Sequence, residues 1–165
     1  QFGLSEALVL SIIEAESAFN PMAVSSAPAF GLMQIVPESA GLDATALVYG
    51  EETLLAPDDL FESNKNIQLG SAYLSILKDN YLAGINNEQS KLYCVIAAYN
   101  TGTGNVAKAF GTNMRVKQAE LKVNEMQPEQ VLSTLINNLP YEETKGYLVK
   151  VNAYHKKYQR LLGIS

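Results

Sequence analysis

Apolar residues in this chain recur at helical spacing, and strand-like alternation is weak from end to end, which restricts the fold to a mainly α architecture. Leu4, Leu8 and Ile12 stand four apart, and Val9, Ile13, Ala15 and Phe19 fill the same broad arc. That spacing predicts an amphipathic first helix, stopped by Asn20-Pro21. Ser63 or Asn64 can cap a long helix whose stripe is Ile67, Gly70, Leu74, Leu77 and Tyr81. Further helices are expected over residues 90–99, ending at Asn100-Thr-Gly-Thr-Gly, and over residues 128–139. Beyond Pro140 a last helix carries Thr144, Tyr147, Leu148, Val151 and Tyr158. Residues 22–31 and 43–60 read as loop, and Pro37 as the first residue of a short helix ending near Gly41. The expectation is five or six helices in one domain over residues 1–165, long enough to bury roughly 70% of the unfolded chain's surface.

Composition removes several functional classes. Apolar residues make up 47% and charged residues 18%, a globular balance. One cysteine, Cys94, excludes an internal disulfide framework, and one histidine, His155, excludes a His-rich metal cage, so no metal or cofactor is expected. Nor is there a second group to orient a Cys–His nucleophile pair. A net charge of −5 argues against nucleic acid as a partner. No run approaches the ~18 apolar residues of a membrane span; Tyr93 to Tyr99 is only seven long. The first basic residue is Lys65, so no secretory leader is read. The chain opens on Gln1 rather than Met and is expected to be part of a longer parent.

One acid sits where an acid costs free energy. At 100° per residue Glu16 lies about 40° from Ile12 and about 20° from Val9, inside the apolar arc. Glu14 lies about 200° away, where a solvated glutamate belongs, and Glu6 sits at the arc's margin. Burial disfavours a charged carboxylate and raises its pKa. Lifting a glutamate from about 4.3 to about 6 costs roughly 2.3 kcal/mol at neutral pH. Two explanations fit the wheel: a carboxylate whose head escapes at a helix end, or a general acid kept protonated for use.

The segments around Glu16 favour the second. Glu16-Ser17 is followed by Phe19-Asn20-Pro21, Gly31-Leu-Met-Gln34, Ala98-Tyr99-Asn100 and Pro140-Tyr-Glu-Glu-Thr-Lys-Gly-Tyr147, with Asn66-Ile67, Gly70 and Tyr73-Leu74 between them. In this order and spacing the chain resembles the catalytic domain of lytic murein transglycosylases, which have a lysozyme-like fold. Residues 80–85 and 147–152 are most similar to the membrane-bound members. The likeness runs from about Leu4 to about Tyr158.

The resemblance implies cleavage of the β-1,4 bond between N-acetylmuramic acid and N-acetylglucosamine in peptidoglycan, without water. Where most glycosidases use two carboxylates, it implies Glu16 alone as acid and then base, assisted by the substrate's own acetamido group. It further implies substrate contacts from Ser25, Met33, Gln34, Tyr99, Asn100, Glu143 and Tyr147. Ser25 would bond the acetamido group, Gln34 would donate its amide to a sugar, and Met33 would form an apolar floor or simply pack in the core. Gly102 and Gly104 shape the turn after Asn100. The partner implied is the peptidoglycan glycan strand, acted on by a monomer in the periplasm or cell envelope. Membrane contact would come only through a lipid anchor outside this chain, with the parent at the outer membrane.

The chain departs from the family pattern in places. Glu62-Ser63 stands where many relatives have Asp-Pro, threonine fills two positions of the Gly-rich stretch, and with no tryptophan sugar stacking falls to tyrosine or phenylalanine. Lys145, Lys150, Lys156, Lys157 and Arg160 gather on the last helix, as a solvated face or as a contact for acidic stem peptides or anionic lipid. His155 among them is expected to be exposed, and Cys94 to be a small core residue. The rival readings are a muramidase using Glu143 or Asp43 to position water, a module that binds glycan without cutting it, and a helical scaffold.

Overall fold

The computed structural model describes residues 2–164, which fall into two compact units: residues up to 76 with those from 154 onward, and residues 77–153. The first unit holds α1 (Glu6–Ser17), α2 (Ala40–Tyr49), α3 (Pro57–Leu60) and α4 (Ser63–Ile76). The second holds a π-helical turn (Leu77–Tyr81), α5 (Glu88–Thr101), α6 (Thr103–Ala109), α7 (Val116–Asn124) and α8 (Pro128–Asn138). The final helix, α9 (Glu142–Leu162), contributes residues to both. Among the described residues the only β pairing is two isolated bridges, Val24 with Phe30 and Phe30 with Ile35. The mainly α expectation holds; the count of five or six helices was too low.

The helices that the sequence concealed have physical reasons for being hidden. α2 lies where loop was expected, because its buried positions are Gly41, Ala44 and Thr45, small residues that pack close to α4 without an apolar stripe. Gly50, which looks like a loop glycine, is the left-handed cap of that helix at φ +85°. Pro37 does not begin a helix: residues 37–39 turn on a Gly41 N–H to Val36 carbonyl bond of 2.9 Å, and α2 starts at Ala40. α6 and α7 were not anticipated either. The stripe of α4 fails at Tyr81, which is 44% exposed, because the π turn closes with a Leu82 N–H to Leu77 carbonyl bond of 2.9 Å. The extra residue in that turn rotates Tyr81 outward and leaves Leu82 buried in its place.

α5 is the buried helix of the second unit. Residues 93–98 are all buried, so no side of the helix there faces water, and α6 and α8 pack against it. Cys94 is fully buried among them, and burial pushes its thiol up to about 12. In the native chain a thiol reagent at about pH 8 should react at least about 10³-fold more slowly than with the denatured chain. Rapid native labelling would contradict this placement.

Two predicted environments in the first unit are corrected. Glu14 is not a solvated acid: its carboxylate accepts from the Lys157 ammonium and, at 2.7 Å, from the Tyr158 hydroxyl. Buried Ala7 lies only about 20° from Glu14 on the wheel, so the buried arc of α1 is wider than one stripe. The Lys157 ammonium also stands 4.8 Å from the Tyr154 ring centroid and 4.5 Å from that of Tyr158. His155 is buried rather than exposed, because it continues the Leu148–Val151 stripe of α9.

Both groups make the chain acid-sensitive. The hydrogen bond from Lys157 holds the Glu14 carboxyl below its usual 4.5, so its contribution is present above that pH and lost as pH falls through the folded value. Burial holds the His155 imidazole below 6.5, so the unfolded chain takes up the proton first and stability declines as pH falls from there. The thermal midpoint should fall in two stages on acidification. His155→Gln removes the first stage and Glu14→Gln reduces the second. A midpoint flat from about pH 7 to about pH 4 would contradict this account.

Candidate active site

Glu16 occupies the last turn of α1, half-buried, between fully buried Ile12 and nearly buried Ile13 on the helix wheel. Ser5 starts this helix, accepting from the Leu8 N–H at 3.1 Å, and Ala18 ends it in the left-handed region at φ +49°. Phe19 follows at φ +64°, so the chain leaves the helix three residues before Pro21. For that reason Phe19 does not continue the apolar arc; it is 46% exposed, with Met22 at 59% and Val24 at 58% beyond it.

The loop after α1 is densely hydrogen-bonded. Phe30 and Ile35 exchange N–H to carbonyl bonds of 3.0 and 3.1 Å, Gly31 N–H reaches the Ala23 carbonyl at 2.9 Å, and Ser25 N–H reaches Ala29 at 3.1 Å. Gln34, at φ +49°, donates its side-chain amide to the carbonyls of Ala23 at 3.0 Å and Gly31 at 2.9 Å. The expectation that this amide donates to a sugar is therefore corrected. Both hydrogens lock the loop, and Oε1 is the atom left to face a ligand. Ser25 is exposed, and its hydroxyl donates to the Ala27 carbonyl and accepts from Ala29 N–H at 3.3 Å, which leaves it an acceptor rather than a donor.

Met33 is corrected as well. It is fully buried and packs on Gly70 of α4, where a Cβ would overlap its side chain, so it belongs to the core and not to a surface floor. The residue that fixes this turn is Asn66, whose role its sequence context does not reveal. Fully buried on α4, it accepts from Met33 N–H at 2.8 Å and donates to Phe30 and Leu60 carbonyls at 2.9 and 2.8 Å. Gly31, at φ +78°, has no room for a Cβ against Asn66 and the Leu60 carbonyl. An asparagine one turn before Gly70, in line with a buried helix face, was the available signal.

The remaining predicted residues lie in the second unit. Tyr99 and Asn100 are half-buried at the end of α5, which Gly102 caps at φ +85°. Thr101 in the Gly-rich stretch ties α5 to α6: Asn105 donates to its carbonyl and hydroxyl, both at 3.0 Å. Glu143 and Tyr147 stand one turn apart on α9, the first exposed and the second buried. Residues 80–85 gain their shape from α7: Gly84 N–H donates to Glu120 at 2.9 Å, and Asn124 brackets the segment through the Asn86 N–H and the Gly84 carbonyl, each at 2.8 Å. Among the described residues no group of three or more His, Cys, Asp or Glu side chains could hold a metal ion.

The first unit thus carries a half-buried glutamate at a helix end and a locked Gly-Leu-Met-Gln turn. The family model for the transglycosylase SLT domain matches residues 1–122, and the chain belongs to that family. Membrane-bound lytic murein transglycosylase C from Pectobacterium atrosepticum is 44% identical over 97% of the chain, and that from Klebsiella pneumoniae likewise 44% over 97%. The chain spans 44% of the length of each of these relatives. Among solved structures, an inactive Glu→Gln mutant of lytic transglycosylase Slt from Pseudomonas aeruginosa superposes with a TM-score of 0.71 at 26% identity, covering 98% of this chain and 22% of that one. The 70 kDa soluble lytic transglycosylase of Escherichia coli gives 0.69 at 26% over the same shares, and it is also known bound to bulgecin A. No helix among the described residues is long and apolar enough to cross a membrane.

Proposed function

We propose that this chain is one catalytic domain that cleaves the MurNAc-β-1,4-GlcNAc bond of peptidoglycan without water and leaves 1,6-anhydro-MurNAc ends. The observation that carries this reading is the half-buried Glu16 at the end of α1, followed along the chain by a turn held by Gln34 and Asn66, in a member of the SLT family. Protonated Glu16 donates to the leaving glycosidic oxygen as the 2-acetamido carbonyl oxygen of the muramic sugar attacks its anomeric carbon. The resulting carboxylate takes the proton of that sugar's 6-hydroxyl, O6 displaces the acetamido oxygen, and Glu16 is again protonated. One residue does both transfers, which asks for a pKa near the working pH. The second step is intramolecular, with a large orientational advantage.

Gln34 supports this chemistry by holding the turn and presenting Oε1, while Ser25, Tyr99, Asn100 and Glu143 contact the glycan; Tyr147, being buried, is left out of that set. The inactivity of the Glu→Gln mutant of the Pseudomonas aeruginosa relative is in keeping with a single essential acid. The relatives named membrane-bound support a place in the cell envelope, where the parent acts on murein as a monomer held at the outer membrane by a lipid anchor outside this chain. Digestion of purified murein tests the reading. The expected fragments end in muramic residues one water lighter than hydrolytic products; fragments at the hydrolytic mass would assign a muramidase instead, and no fragments at all would leave a binding module.

A further inference from the structure

The first unit carries a groove of about 750 Å³ that the proposed chemistry does not use, between the start of α1 and the N-terminal half of α4. Val9 of α1 lines it, about 10 Å along the helix from Glu16. Buried Ile12 and Ile13 lie between the two positions, so the groove is separate from the Glu16 end. Its size falls within the roughly 300–1,000 Å³ of small-ligand sites.

The lining decides what it can take. Ser71 is more than nine-tenths buried, yet its hydroxyl has no hydrogen-bond partner among the described residues and opens into the groove. Ser75, one turn on, instead satisfies itself by donating to the Ala72 carbonyl at 2.8 Å. The Ser71 oxygen is reachable from the groove, so a ligand there can hydrogen-bond to it. Two of the charges on its lining are engaged: Lys65 pairs with Asp59 at 2.8 Å, and the Glu62 carboxylate accepts from the N–H groups of Asn64 and Lys65 at 3.0 and 2.7 Å; Glu6, at the start of α1, adds an exposed carboxylate. Beside Glu6, the open polar groups are the amides of Gln68 and Asn64 and the ring and hydroxyl of Tyr49, which is 47% exposed. Amides, hydroxyls and one carboxylate acceptor, together with an aromatic ring and the apolar Leu4, Val9 and Ile67, suit a ligand without negative charge that has one apolar face and many hydroxyl or acetamido groups.

We propose that this groove is a second saccharide site, which holds a neutral N-acetylated amino-sugar chain apart from the bond that Glu16 would cut. The claim is independent of the role of Glu16 and is read by binding alone. The ¹⁵N-labelled Glu16→Gln chain is titrated with the β-1,4-linked tetramer of N-acetylglucosamine. The amide signals of Tyr49, Gln68 and Ser71 are expected to shift along one saturation curve. Tyr49→Ala and Gln68→Ala are each expected to weaken that curve about tenfold, leaving any shifts around Gln34 as they were. Tyr49 is exposed enough that its truncation leaves the fold intact, and Gln68 provides an independent check. Shifts confined to the Glu16–Gln34 segment, an absence of shifts at the groove, or variants that bind unchanged would each overturn the inference, whether or not the chain cleaves murein.

Discussion

Replacing Glu16 with glutamine is expected to lower murein cleavage by at least about 10³-fold, because the same side chain is asked for a proton in one step and takes one in the next. Glutamine keeps the size and one hydrogen-bonding oxygen but has no transferable acidic proton. The half-buried setting is preserved, so the thermal midpoint should stay within about 2 °C of the parent. The substitution thus separates chemistry from folding. Retention of more than about a tenth of the parent rate by the folded variant would show that Glu16 is a helix-end carboxylate with no chemical role, and would send the search to another acid.

The second large effect is structural. Asn66→Ala removes the partner of three backbone groups at once, the Met33 N–H and the Phe30 and Leu60 carbonyls, at a position with no access to water. Each buried group left unpaired costs about 1–3 kcal/mol. Some relaxation is expected, so the loss should be about 3–5 kcal/mol, a large share of the 5–15 kcal/mol typical of a domain. Because the Gly31–Gln34 turn hangs on these bonds, cleavage should fall even under conditions where Asn66→Ala remains folded. A denaturation midpoint corresponding to less than about 1 kcal/mol would mean that the turn is held by its own backbone bonds and by Gln34.

Sequence periodicity reached the parts of this molecule whose burial is carried by large side chains. The apolar run from Tyr93 reads as a helix with Cys94 in the core and is buried through Ala98, and the Glu16 position between apolar neighbours reads as anomalous and lies half-buried there. It failed where packing uses small residues, as at Gly41, Ala44 and Thr45 of α2, or where the helix changes pitch, as at the turn before Leu82. A wheel with one apolar stripe misplaced Glu14, because α1 is buried on more than one side and an acid there needs Lys157 and Tyr158, more than 140 residues away. The family blocks located the Gly-Leu-Met-Gln segment without revealing which atoms it offers. That depends on the left-handed backbone at Gln34, which turns its amide hydrogens back onto the loop. No spacing rule carries that information.

The central claim is that one carboxyl moves a proton out and back with no water entering the product. Murein should therefore be digested by the parent chain in water enriched in heavy oxygen, and the new muramic ends collected. The account predicts ends that carry no label and cannot be reduced by borohydride, since the sugar's own O6 has closed the ring. One labelled oxygen per cleavage, on ends that borohydride reduces, would mean that water attacked the anomeric carbon and that Glu16 does not act as the returning base.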